Sequence, residues 1–250
     1  QFGSDFHPLT YYDEEYWELM ERHLVEFYPN KWYDVILLST ETPNFLDYLS
    51  ECGDSPISLD LEWESELCLF QFCFNNKVVI LRHPNGEGNK DLLNFLLTHK
   101  FYAKGINNDK KQLHKKFNTI EIANNIEDIA RTRLIPYNYS ENFMAMVRQF
   151  SGEPTAEFKD IRITMSNWEL PKLSKRQILY AAFDVVSLKE CYPNYPPPKE
   201  IVKNKTNNPD SNNDSDEDNN NNNKVKKPKR IRSSLIASEE FQPREIRRAF

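Results

Sequence analysis

Ile57-Ser-Leu-Asp-Leu-Glu-Trp63 is the stretch that decides the fold. Apolar and polar residues alternate with period two, the mark of a strand with one face against a core. The next apolar runs, residues 67–74 and 77–81, meet at Asn75-Asn76, a tight-turn pair. Together they predict three consecutive antiparallel strands. Working outward, residues 35–38 read as a buried strand. Thr42-Pro43 opens a short helix through Leu49, with Thr as cap and Pro at the first helical position. Downstream, the pattern predicts a helix over 91–99, a strand over 101–106 and a helix over 108–117. Helices are expected over 126–134, 141–149 and 174–191. Antiparallel strands followed by alternating helix and strand imply an α/β mixed sheet with flanking helices. Upstream, Tyr16, Met20, Leu24 and Phe27 recur at helical spacing, so residues 11–27 read as an amphipathic helix within an N-terminal helical extension, 1–31.

The mean hydropathy of −0.73 is low for a wholly globular chain, which implies a folded part and a solvated part. Sixteen Phe, twelve Tyr and four Trp among 250 residues still supply a core. The character changes at Pro196-Pro-Pro198. Residues 199–223 are rich in Asn and Asp and almost free of apolar side chains, so they read as disordered. The expected organisation is therefore an extension (1–31), a catalytic domain (32–195), a disordered linker ending in a basic cluster (196–232) and a C-terminal tail (233–250) that forms a short helix or a docking peptide. The net charge of −6 gives no support to a polyanion partner by itself. Cys52, Cys68, Cys73 and Cys191 show no Cys-x-x-Cys spacing and read as reduced, mostly buried thiols of an intracellular protein. No apolar run reaches membrane-spanning length, and no signal-peptide pattern opens the chain. It begins at Gln1 rather than Met, as a processed or excerpted piece would.

Three short motifs carry candidate chemistry. Asp60 and Glu62 lie two apart on a strand and so point to one face. Their mutual repulsion is relieved by a divalent cation. Ser58 and Glu64 share that face, and a half-solvated strand would look the same. Asp109 follows the expected strand end at Gly105 and falls in the first turn of the next helix. That is a place for a dipole-favoured carboxylate, and also a place where α/β proteins build sites. Tyr180 and Asp184 are four apart on a helix and share a face, with Ile178, Ala182, Val185 and Leu188 forming a separate apolar stripe. As isolated features these are ordinary surface residues.

Taken in order, the motifs resemble those of the Tyr-containing branch of the DEDD 3′→5′ exonucleases, with ribonuclease D and the Werner-syndrome exonuclease domain as the nearest likeness. The resemblance spans 32–195. Asp60-Leu-Glu62-Trp63 is similar to the first motif, and Leu69-Phe-Gln71 to the strand signature after it. Gly105-Ile-Asn-Asn-Asp109 with Leu113 is similar to the second. Ser166-Asn-Trp168-Glu169, Leu173, Gln177 and Tyr180-Ala-Ala-Phe-Asp184 are similar to the third with its lead-in. Asn108, residues 119–125 and the helix from Glu141 depart from the usual pattern, outside the five core positions.

The resemblance implies a ribonuclease H-like fold and a metal-dependent exonuclease acting from the 3′ end of DNA or RNA, with DNA ahead. A ribonuclease D-type RNA-processing enzyme and a catalytically weak nucleic-acid-binding scaffold are the alternatives. It implies two ions, Mg²⁺ or Mn²⁺. Asp60 would bridge them, Glu62 and Asp184 would hold the ion that activates water, Asp109 would support the second through water, and Tyr180 would orient the attacking water. Trp63 is a candidate base-stacking residue or a rim tryptophan. Lys159 and Arg162 are open to phosphate contact or plain solvation. Lys224-Val-Lys-Lys-Pro-Lys-Arg-Ile-Arg232 resembles a nuclear import signal, which implies an import receptor as partner and a nuclear location. A polybasic linker that holds nucleic acid is the other reading.

Overall fold

The computed structural model describes residues 15–83, 88–133, 135, 137, 139 and 142–196. The stretch that decides the fold is strand β3 (Ile57–Trp63), followed by β4 (Leu67–Phe74) and β5 (Lys77–Arg82). β3 pairs antiparallel with β4, and β4 with β5. Asn75 turns the β4–β5 corner at φ 50°, a left-handed conformation that Asn tolerates better than most residues. The remaining strands are β1 (Arg22–Tyr28), β2 (Lys31–Ser39), β6 (Phe101–Ala103) and β7 (Ile126–Asp128). They complete a seven-stranded mixed sheet in the order β1-β2-β5-β4-β3-β6-β7. β2 runs parallel to β5, β6 parallel to β3, and β7 parallel to β6.

Two readings are corrected. Residues 22–28, expected to be helical, form β1, which pairs antiparallel with β2. The helical spacing misled because Leu24 and Met20, which carried it, are exposed. Of the four residues in that spacing only Phe27 is buried, beside Trp17 and Tyr28 from outside it. Residues 22–28 of the expected helical extension are thus an edge strand of the main sheet. Similarly, the helix expected over 126–134 opens with β7, and only Ile129–Thr132 is helical (α4). Residues 11–14, the Asn/Asp-rich linker, the basic cluster and the tail lie outside the described residues.

The alternation of β3 separates two cores. Ile57, Leu59 and Leu61 join Phe70, Phe72, Phe74, Val79 and Leu81 in one apolar cluster, with the buried His83 ring stacked on Phe117 at its edge. It is covered by α1 (Phe45–Ser50), α2 (Lys90–Thr98) and α3 (Asn107–Phe117). Fully burying side chains of this size stabilises the fold by about 1.5–3 kcal/mol each. The other face receives α5 (Phe143–Phe150), α6 (Ile161–Thr164) and the long α7 (Lys175–Cys191). Ser174 and Gln177 start α7 with a capping box. Its middle is buried all round, from Tyr180 to Leu188. Ser58 Oγ, on β3, donates toward Val185 O at 2.8 Å and Cys73 O at 3.1 Å, which ties the helix to the centre of the sheet. The four cysteines are free and buried. Among the described residues, no helix is long and apolar enough to cross a membrane.

Candidate active site

Asp60 and Glu62 point from β3 toward α7, on the face opposite Leu59 and Leu61. Tyr180 and Asp184, one turn apart on α7, meet them there. Carboxylate oxygens of Asp60, Glu62 and Asp184 all lie within 4.8 Å of one another. Neither Tyr180 nor Asp184 is a surface residue. They are 5% and 4% exposed.

The surroundings fix these side chains. Gln71 pairs with Asp60 in the β3–β4 register, is fully buried, and donates to Glu62 Oε1 at 3.4 Å. The backbone N–H of Leu61 donates to Asp60 Oδ1 at 3.0 Å. The lead-in to α7 clamps the β3–β4 turn, because Glu169 Oε1 accepts from the backbone N–H groups of Ser65 (2.8 Å) and Glu66 (3.0 Å). Trp168 packs its ring 5.9 Å from that of Tyr180. Gln177 reaches back from α7 to Ser166 and Asn167 at 3.0 Å. The Tyr180 oxygen accepts from Thr164 Oγ1 at 2.8 Å and from Lys159 Nζ at 2.7 Å.

Asp109 stands in the first turn of α3, outside the three-carboxylate group. Gly105, at φ +71°, makes the turn that precedes it, a conformation glycine adopts at no steric cost. The Gly105 N–H donates to Asp128 Oδ1 at 3.1 Å. Asp128 also caps α4, so it anchors the segment that presents Asp109.

The electrostatics are unfavourable as they stand. Burial, then Asp184, Glu62 and Asp109, push Asp60 well above the usual carboxylate range. Burial and Asp184 push Glu62 up to about 8, and burial with Asp128 pushes Asp109 up to about 7. Burial raises Asp184 as well, against the neighbouring Lys159. Burial likewise raises the Tyr180 phenol, with Asp184 acting in the same sense. Asp184 Oδ1 is buried without a hydrogen-bond partner. A cluster so short of positive charge and of donors has the donor chemistry of a divalent-cation site, and its ligands are oxygens only.

The other candidates separate. Trp63 packs half-buried against the apolar cluster under α1 to α3, as a rim tryptophan does. Arg162 lies at the surface, paired with Asp160 at 2.7 Å. Lys159 is the residue that sequence reasoning left open and the structure brings into the site. Nothing in the local pattern links a lysine in an irregular segment to a helix twenty residues on. Thr164 and Asp128 carried no such signal either.

The sequence pattern of the 3′-5′ exonuclease family matches residues 33–194. No curated protein matches this sequence. Among solved structures, Brucella melitensis NrnC superposes with a TM-score of 0.51 at 18% identity, over 64% of this chain and 79% of its own. Escherichia coli RNase D, an exoribonuclease involved in structured RNA processing, gives 0.49 at 22% identity over 61% of this chain and 42% of its own. The Aedes aegypti Nibbler EXO domain gives 0.48 at 19% over 69% and 90%. The likeness to NrnC is one of fold, and the ribonuclease H-like mixed sheet expected from the sequence stands. The family match is one of sequence, covers most of the chain and contains all five polar positions described above. The chain belongs to the 3′-5′ exonuclease family.

Proposed function

We propose that this domain removes nucleoside 5′-monophosphates one at a time from the 3′ end of a nucleic acid, with Asp60, Glu62, Asp109 and Asp184 holding two divalent cations and Tyr180 aiming the attacking water. The observation that carries this reading is the convergence of three carboxylates from β3 and α7 within 4.8 Å, with one buried oxygen lacking a partner. When bound, such ions supply an activated water and neutralise charge on the phosphate and the leaving 3′ oxygen. An oxygen-only donor set selects hard ions, Mg²⁺ or Mn²⁺, over Zn²⁺.

The chain's own groups do the positioning. Asp60 and Glu62 are fixed by strand geometry and by Gln71, and Asp184 by a helix buried on every side. Asp109 sits further out, suited to holding its ion through water. The Tyr180 phenol keeps its proton at neutral pH, since burial raises it above an already high ordinary value. Its oxygen already accepts from Lys159 and Thr164, so its own O–H is left to donate into the site. Tyr180 is thus an aiming group rather than a base.

The test is incubation of end-labelled single-stranded, duplex and recessed DNA and RNA with Mg²⁺ or Mn²⁺, with and without chelator. The expected result is a ladder shortening from the 3′ end, abolished by chelator, restored by either ion and faster on DNA. Shortening from the 5′ end, internal cuts in a circular substrate, or full activity in chelator would overturn the reading. For the basic run 224–232, the proposed role is nuclear import. Removing it should shift a fluorescent fusion of the whole chain out of the nucleus, and unchanged nuclear signal would refute that role.

A further inference from the structure

Lys159 is not a solvated lysine. Its Nζ lies 2.5 Å from Asp184 Oδ2 and 2.7 Å from the Tyr180 oxygen. It also sits 4.0 Å from the centre of the Tyr180 ring and 4.9 Å from that of Phe143. Two carbon-rich ring faces and two oxygens make a built seat for one cation. Burial disfavours the charged ammonium, yet Asp184 and Tyr180 outweigh it and hold the group above the ordinary lysine range. Lys159 also lowers Asp184 against its burial, and together with Gln71 it lowers Glu62; it lowers Asp60 too, against burial and the neighbouring carboxylates.

Its single charge faces three carboxylates, and Asp184 Oδ1 stays unpartnered beside it. A divalent ion ligated by Asp184 would meet the ammonium at the same carboxylate, where two cations in a poorly solvated site repel strongly. We infer that Lys159 is a resident counter-ion: it holds Asp184 and Tyr180 in place while the site is free of metal, and a divalent cation displaces it from Asp184 on binding. Loading is then an exchange of cations, and the apparent affinity for the ion falls by the fraction of molecules whose ammonium has already swung away. The Tyr180 oxygen and the Phe143 ring retain the ammonium at the rim, so the phenol stays aligned through the exchange. Lys159 is in these terms a positioning residue, and the inference rests on the metal reading above.

The test is direct Mn²⁺ binding to the full chain by calorimetry or by the paramagnetic signal of free Mn²⁺, without substrate. Lys159→Met and Lys159→Gln remove the competing charge, so Mn²⁺ should bind roughly tenfold more tightly than to the unsubstituted protein. In chelator both variants should melt at lower temperature, and Mn²⁺ should raise their melting temperature by more. Lys159→Arg keeps the charge and should not tighten binding. Folded variants with unchanged or weaker Mn²⁺ affinity would overturn the inference. Should both variants fail to fold, the unsubstituted protein still decides: mass-spectrometric acylation of Lys159 should rise several-fold when Mn²⁺ is added, and equal protection with and without the ion refutes displacement. Absence of saturable Mn²⁺ binding in every form would instead sink the metal reading itself.

Discussion

The two faces of the central sheet are built to opposite rules. On the face covered by α1, α2 and α3, β3 contributes Ile57, Leu59 and Leu61 to a cluster of aliphatic and aromatic side chains. On the face covered by α7, the same strand contributes Ser58, Asp60 and Glu62, and the helix answers with Tyr180, Asp184 and Ser187 among Phe183, Val185 and Val186. Burial of apolar side chains stabilises the domain on both sides. The second side also carries buried carboxylates whose charge Lys159 offsets only in part. A strand of period two can serve both at once, because neighbouring residues never compete for the same side.

Asp60→Asn should separate the two faces most sharply. It removes a proposed metal ligand and a repulsive charge together. We expect an activity loss of about 10⁴-fold or more, as for removing one member of a unit that acts as a whole. The melting temperature in chelator should be unchanged or higher, in line with the trade between stability and function. A fall in melting temperature together with a wild-type rate would invert the assignment of roles to the faces. Phe72→Ala, on the dry face, should do the reverse. Urea unfolding should show a loss of about 3–5 kcal/mol, while each folded molecule cuts at the normal rate. Tyr180→Phe should slow cleavage by about 10²-fold, the usual weight of a positioned acid–base group. Mn²⁺ affinity should hardly move, and a collapse of metal binding in that variant would make Tyr180 a ligand. Ser58→Ala is the mildest. It deletes the hydroxyl between β3 and α7 and should cost about 1 kcal/mol, with a rate reduced only as far as Asp184 shifts relative to Asp60.

The sequence was most legible where a strand had both a long alternating run and a defined turn, as in β3 to β5 around Asn75. β1 was misread because Tyr16, Met20, Leu24 and Phe27 fell at helical spacing by chance, and tertiary pairing with β2 overrode that local pattern. β7 has three residues, too few for any period to show. The five polar positions were read by likeness to a family, not by periodicity, since each alone looked like a surface residue. The convergence of Asp60, Glu62 and Asp184 within 4.8 Å is a property of topology, which no local spacing contains. Lys159 stayed undecided for the same reason. Its partners Tyr180 and Asp184 lie on a different element.

The placement of α7 has a consequence for the chain as it is made. Asp60 and Glu62 leave the ribosome early, and the strands around them can begin to pair. Tyr180 and Asp184 emerge later, on the helix that Ser58 fastens across the sheet through Val185. Domains form as units during synthesis, so a partly translated chain carries Asp60, Glu62 and Asp109 but still lacks Tyr180 and Asp184. Whatever nucleic acid surrounds the translating ribosome meets the finished constellation only once α7 has docked.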